Sequence, residues 1–172
     1  MLKRLLATIV AAAFLFFLAG YYKPTVAPVK DNSLQTGGGM DNRQVQPPKE
    51  QAEMLALVNQ ARAEAGLPAL AWNQTAANVA AEKARDMVAL EYFDHTSPTY
   101  GSPFDMMKQF GVTFRTAGEN LAGHQSAEKA HQALMDSPGH RENILNSRFF
   151  QIGIGIANSP VYGKIYVQMF LD

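Results

Sequence analysis

Apolar residues fall into register abruptly at Gln51. Beyond it Met54, Leu55, Val58, Ala61, Arg62 and Ala65 recur at helical spacing, until Gly66 and Pro68 stop the helix. Before it, residues 23–50 are dominated by Pro, Gly, Gln and Asn and carry no apolar period. This break confines folding to residues 51–172, enough chain for one domain with its own core.

Within that domain the patterning changes from helical to extended. Leu67, Leu70 and Trp72 in "GLPALAWN" form a short connection that packs on the core. Asn73 or Thr75 caps a second helix, whose Ala76, Val79, Ala80, Lys83, Ala84, Met87 and Leu90 present an alanine-rich face suited to close packing. The turn-rich loop 94–103 follows, then a short helix over 104–111 ended by Gly111. Residues 112–123 read as extended, and Ser126 caps a helix running to about Asp136. Strands are expected at 150–157 and 163–171, joined by the turn "NSPVYG". Helices precede strands, which points to a layered α+β arrangement with an antiparallel sheet.

The N-terminus carries a separate message. Lys3 and Arg4 precede sixteen uncharged residues, 5–20, as in an export signal. As a helix that stretch spans roughly 24 Å, slightly short of a bilayer core. Tyr21 and Tyr22 suit the outer interface, and the balance favours an anchor that is retained over one that is cleaved. Residues 1–22 are therefore an export signal or membrane anchor, and 23–50 a flexible tether on the order of 30 Å in mean span. The domain is expected outside the cell or in its envelope.

Composition excludes several classes. There is no cysteine, so disulfides, thiol catalysis and thiolate-bound metals are ruled out. From Gln51 onward nine Lys and Arg face twelve Asp and Glu, and the slightly acidic balance argues against nucleic acid as a partner.

Four histidines remain, His95, His124, His131 and His140, and none forms a local zinc signature such as HExxH. His95 lies in the Ser/Pro/Gly-rich loop, as either a solvated residue or part of a site. Glu119 is a carboxylate within the apolar, glycine-flanked "GENLAG", where it serves as a structural acceptor or as a functional group. His140 opens the helix of "SPGHRENIL", with Ser137 as its cap and Pro138 in its first turn. A helix N-terminus disfavours imidazolium, so a neutral ring is expected there. His131 shares a stripe with Ala127, Ala130 and Leu134 and reads as packed or at a cleft edge; His124 reads as solvated.

Taken in order, "LVNQARAEAGLPAL", "YFDHTSP", "GENLA", "SPGHRENIL" and "YVQMF" resemble a bacterial member of the CAP superfamily, which includes cysteine-rich secretory, antigen 5 and pathogenesis-related proteins. The resemblance covers residues 52–172. It implies a three-layer α-β-α sandwich with a central antiparallel sheet. It also implies a cleft lined by His95, Glu119 and His140, which holds zinc in some members. The family's second glutamate has Ser137 as its nearest match, and Leu134 stands where a tryptophan is usual. Two histidines and a carboxylate, His95, His140 and Glu119, would bind Zn²⁺ weakly and reversibly with a position open for water. The leading expectation is a binding module for a small ligand, lipid, peptide or cell-wall fragment. The alternatives are a metal-assisted hydrolase of peptide or wall material and a docking protein with a vestigial cleft.

Overall fold

The computed structural model describes residues 46–172; the export segment and most of the tether lie outside the described residues. Five helices and four strands follow in the order α1 (Lys49–Glu64), β1 (Ala71–Trp72), α2 (Gln74–Ala89), α3 (Pro103–Gln109), β2 (Ala117–His124), α4 (Ala127–Asp136), α5 (Pro138–Ile144), β3 (Gln151–Ser159) and β4 (Gly163–Leu171). The strand order is β1-β3-β4-β2. β4 lies between β3 and β2 and is antiparallel to both. Among the described residues no helix is long and apolar enough to cross a membrane.

The sheet is the middle layer of an α-β-α sandwich. One of its faces packs with α1, α4 and α5 through Met54, Val58, Ala130, Leu134, Ile144, Ile152, Ile154, Tyr166 and Phe170. The other packs with α2 and α3 through Val79, Ala80, Met87, Met106, Leu121, Val167 and Met169. The period of two along β4 divides its side chains between these cores.

Two glycines bring α2 onto the sheet. A Cβ on Gly153 would lie 2.2 Å from the Ala76 carbonyl carbon, and one on Gly155 2.0 Å from that of Ala80. The alternation in "IGIGIA" is therefore a packing groove for the alanine face of α2, backbone against backbone. The Asn73 side chain caps this helix by accepting from Ala76 N–H at 2.9 Å.

Several boundaries differ from the sequence reading. The sheet is antiparallel except at one edge, where β1 pairs in parallel with Gln151 and Ile152. β2 begins at Ala117 and not at 112, because the Asp172 carboxylate accepts from the Arg115 and Thr116 N–H groups and ties that segment down as a loop. α1 begins at Lys49, two residues before the composition break, and Glu50 belongs to the fold. Its carboxylate accepts from Lys164 Nζ at 2.6 and 2.7 Å and from the Tyr166 hydroxyl at 2.7 Å. At the other end of α1, the fully buried Arg62 donates to the carbonyls of Pro68, Ile144, Asn146 and Phe149. It thereby closes the C-terminal end of α5, whose last carbonyls lack helical partners.

Candidate functional site

β2 is an edge strand, and two adjacent residues on it organise the site. Neighbouring side chains on a strand point to opposite faces. Glu119 therefore faces the α2 layer and Asn120 the α5 layer. Each is buried, and each takes hold of one histidine.

On the α2 side, Glu119 Oε1 lies 2.7 Å from His95 Nδ1. The carboxylate side chain is 1 % exposed and the imidazole 52 %. The bond to Glu119 holds the His95 pKa above its ordinary value of 6.5. Burial pushes the Glu119 carboxyl above 4.5, while His95 and the charge of Lys83 pull it back. Glu119 Oε2 is buried without a partner. With Nδ1 committed to the carboxylate, His95 turns its other nitrogen, Nε2, outward.

The loop that carries His95 is fastened from beneath. Asp86 on α2 accepts from the hydroxyls of Tyr92, Ser97 and Thr99 at 2.5, 2.7 and 2.8 Å. Burial alone would raise the Asp86 pKa; those three bonds and the Lys83 charge hold it below its ordinary value. Lys83, fully buried, donates to the His95 carbonyl at 2.8 Å and to the Tyr92 hydroxyl at 3.1 Å. Ser97 and Gly101 exchange both backbone bonds, which closes the turn. The turn residues of 94–103 thus fix a backbone on which the imidazole is aimed.

On the α5 side, the link is through the backbone. Asn120 Nδ2 donates to the His140 carbonyl at 3.0 Å and to Gln168 Oε1 at 3.1 Å. Asn143 Nδ2 donates to Asn120 Oδ1 at 2.9 Å and reaches the Glu119 carbonyl at 3.3 Å. Gly118 makes room, since a Cβ there would lie 3.0 Å from Asn143 Oδ1. Burial holds the His140 pKa below 6.5, and the nearby charge of His95 lowers it further. His140 therefore gives up its proton more readily than a free imidazole, and His95 holds its proton more firmly.

The structure pairs His95 with Glu119 and places His140 near enough for the His95 charge to act on it. Ser137 stands at the N-cap of α5, as expected, but its side chain makes no capping bond. The turn is held by its carbonyl, which accepts from Arg141 N–H at 2.9 Å, and by Pro138. His124 is half-buried at the end of β2 opposite Lys164, and is neither in a loop nor fully solvated. His131 is half-buried on α4 with Nδ1 buried and unpartnered. The sequence reading missed Asn120, Asn143 and the Asp86 cluster. The visible signal was two consecutive polar residues, "EN", inside an apolar strand, which requires a polar partner on each face.

Among the described residues no group of three His, Asp or Glu side chains is placed to hold a metal ion. Glu119 is bonded to His95 Nδ1, an arrangement in which it orients the ring, one of the two roles open to it beside a metal.

Residues 55–170 match the sequence model of the Cysteine-rich secretory protein family, CAP. Over 120 residues the chain is 47 % identical to the uncharacterized protein YkwD of Bacillus subtilis (strain 168), covering 69 % of this chain and 46 % of YkwD. It is 36 % identical to the uncharacterized membrane protein YlbC of the same organism, covering 69 % of this chain and 33 % of YlbC. A crystal structure of an extracellular protein containing an SCP domain, from Bacillus anthracis str. Ames, superposes with a TM-score of 0.64 at 39 % identity, covering 69 % of this chain and 39 % of that one. The chain spans less than half the length of each of these three proteins.

Proposed function

The chain belongs to the cysteine-rich secretory protein family, CAP, and from that premise we propose that it is an exported cell-envelope module whose cleft binds a carboxylate-bearing peptide or cell-wall fragment. Export is supported by Lys3 and Arg4 before an uncharged stretch, and by the extracellular SCP protein it resembles. The observation that carries the binding reading is the pair of histidines held across one strand edge and biased in opposite directions. Near pH 6.5, His95 offers a charged N–H donor and His140 a neutral acceptor. A ligand with an anionic group beside an N–H or O–H donor satisfies both. The Glu119 carboxylate beneath His95 orients the ring and balances its charge.

The complementary pair exists between the lowered His140 midpoint and the raised His95 midpoint. Titration of wall-derived peptides bearing a free carboxylate, followed by imidazole NMR signals, is expected to be tightest near pH 6.5. Affinity falls towards pH 9 as His95 loses its proton. His95→Ala abolishes binding and His124→Ala leaves it intact. A failure of every such peptide to move the His95 and His140 signals at pH 6.5 overturns the reading.

A further inference from the structure

Among the described residues seven large apolar side chains are exposed; Phe104, Phe110 and Phe150 lie elsewhere, and the other four lie at the hairpin end of the sandwich. Val161 and Tyr162, at the tip of the β3–β4 hairpin, are 76 % and 41 % exposed. Phe93, just past the end of α2, is 39 % exposed and meets the Tyr162 ring at a centroid distance of 5.1 Å. Leu90 beside it is half exposed. Between hairpin and helix end lies a cavity of about 390 Å³, lined by Met87, Val88, Phe93, Pro160, Val161 and Tyr162. Exposed apolar residues scattered singly need no explanation, but a contiguous aromatic and aliphatic tip does.

The place where the chain enters the domain identifies what this tip meets. α1 starts at Lys49, and Glu50 is held by Lys164, two residues beyond Tyr162. The chain therefore enters at the hairpin end of the sheet. Upstream of it are the uncharged residues 5–20, read from the sequence as an export segment or anchor. We infer that the Phe93–Val161–Tyr162 tip rests on the surface of the lipid bilayer that holds the N-terminal segment. Aromatic rings with a polar edge, such as Tyr162, suit the headgroup boundary, and an apolar face buries there to a depth of about 5–10 Å. The inference does not depend on the ligand of the cleft. It bears on the cleft only through distance along the sheet: Glu119 lies five residues along β2 from His124, which is at the hairpin end, or about 17 Å of strand.

The single tryptophan makes the test direct. Trp72 is on β1, paired with Ile152 at the opposite end of the sheet from the tip. The full-length chain, as wild type and as a Trp72→Phe, Val161→Trp variant, is reconstituted in phosphatidylethanolamine/phosphatidylglycerol vesicles carrying brominated acyl chains. Val161 is exposed enough to accept an indole without disturbing the core. The indole introduced at 161 is expected to lose most of its emission to bromine quenching, while Trp72 in the wild type keeps its own. An unquenched indole at 161 overturns the inference, as does equal quenching at both positions or failure of the full chain to float with the vesicles. A concentration-dependent blue shift at 161 without lipid also overturns it, in favour of a second copy of the chain as the occupant.

Discussion

Glu119 is costly to bury and is retained with one oxygen unpartnered, so its effect on His95 is the property to test. Replacing it with Gln removes the charge that favours imidazolium. Glu119→Gln is expected to bring the His95 midpoint down towards 6.5, read by NMR titration, while His140 moves little because burial is its main cause. Stability follows with a definite sign. The attraction requires an ionised Glu119 and a charged His95, so it is lost as pH rises through the raised His95 midpoint, and the buried Glu119 charge, whose own midpoint is raised, then weighs against folding. The stability of the wild type relative to the variant should therefore fall between pH 6.5 and pH 9, as seen in denaturant melts at several pH values. His95, Glu119 and His140 could be singled out as candidates in the sequence because a histidine in a turn-rich loop, a carboxylate in an apolar strand and a histidine opening a helix are each unusual. Their supports were less legible. Asn120 and Asn143 act through backbone carbonyls and through one another, and nothing in their local sequence says which distant segment they meet.

At the scale of elements, glycine tests the packing. Gly155→Ala puts a methyl group within 2.0 Å of the α2 backbone, which no rotamer relieves. The expected cost is about 3 kcal/mol or more, since backbone must move against backbone. Gly139→Ala in α5 meets nothing within 4 Å and should be neutral or stabilise by about 0.5 kcal/mol. Chemical denaturation of the two variants separates them; equal effects would mean that α2 does not lie as close to β3 as described. Two helix caps and the hairpin could be read from sequence because Asn73 and Ser126 satisfy local groups; the Ser102 cap of α3 was not read. β1 could not, because two residues carry no period and its parallel partner is 80 positions away. Arg62 read as one more position on a helical stripe. That it is buried becomes apparent only once α5 supplies the carbonyls it satisfies.

For the molecule as a whole, the N-terminal limit of the fold is set by Glu50. Burial works against its ionisation, but the bonds from Lys164 and Tyr166 win and hold its pKa below 4.5. A lowered carboxylate contributes stability above its unfolded midpoint and loses it as pH falls through the folded one. A fragment starting at Gln51 should therefore melt lower at pH 7 than one starting at Gln46, and the gap should close below pH 4. Equal melting at pH 7 would show that the fold begins where the composition changes. The position of β4 has a consequence for biogenesis. It is the last strand in chain order, yet it lies inside the sheet and bridges β2 and β3. No stable sheet can form until residue 171 has left the ribosome, whatever follows it. Synthesis thus runs through the whole domain before a stable sheet can form, and the nascent polypeptide stays without its central layer until then.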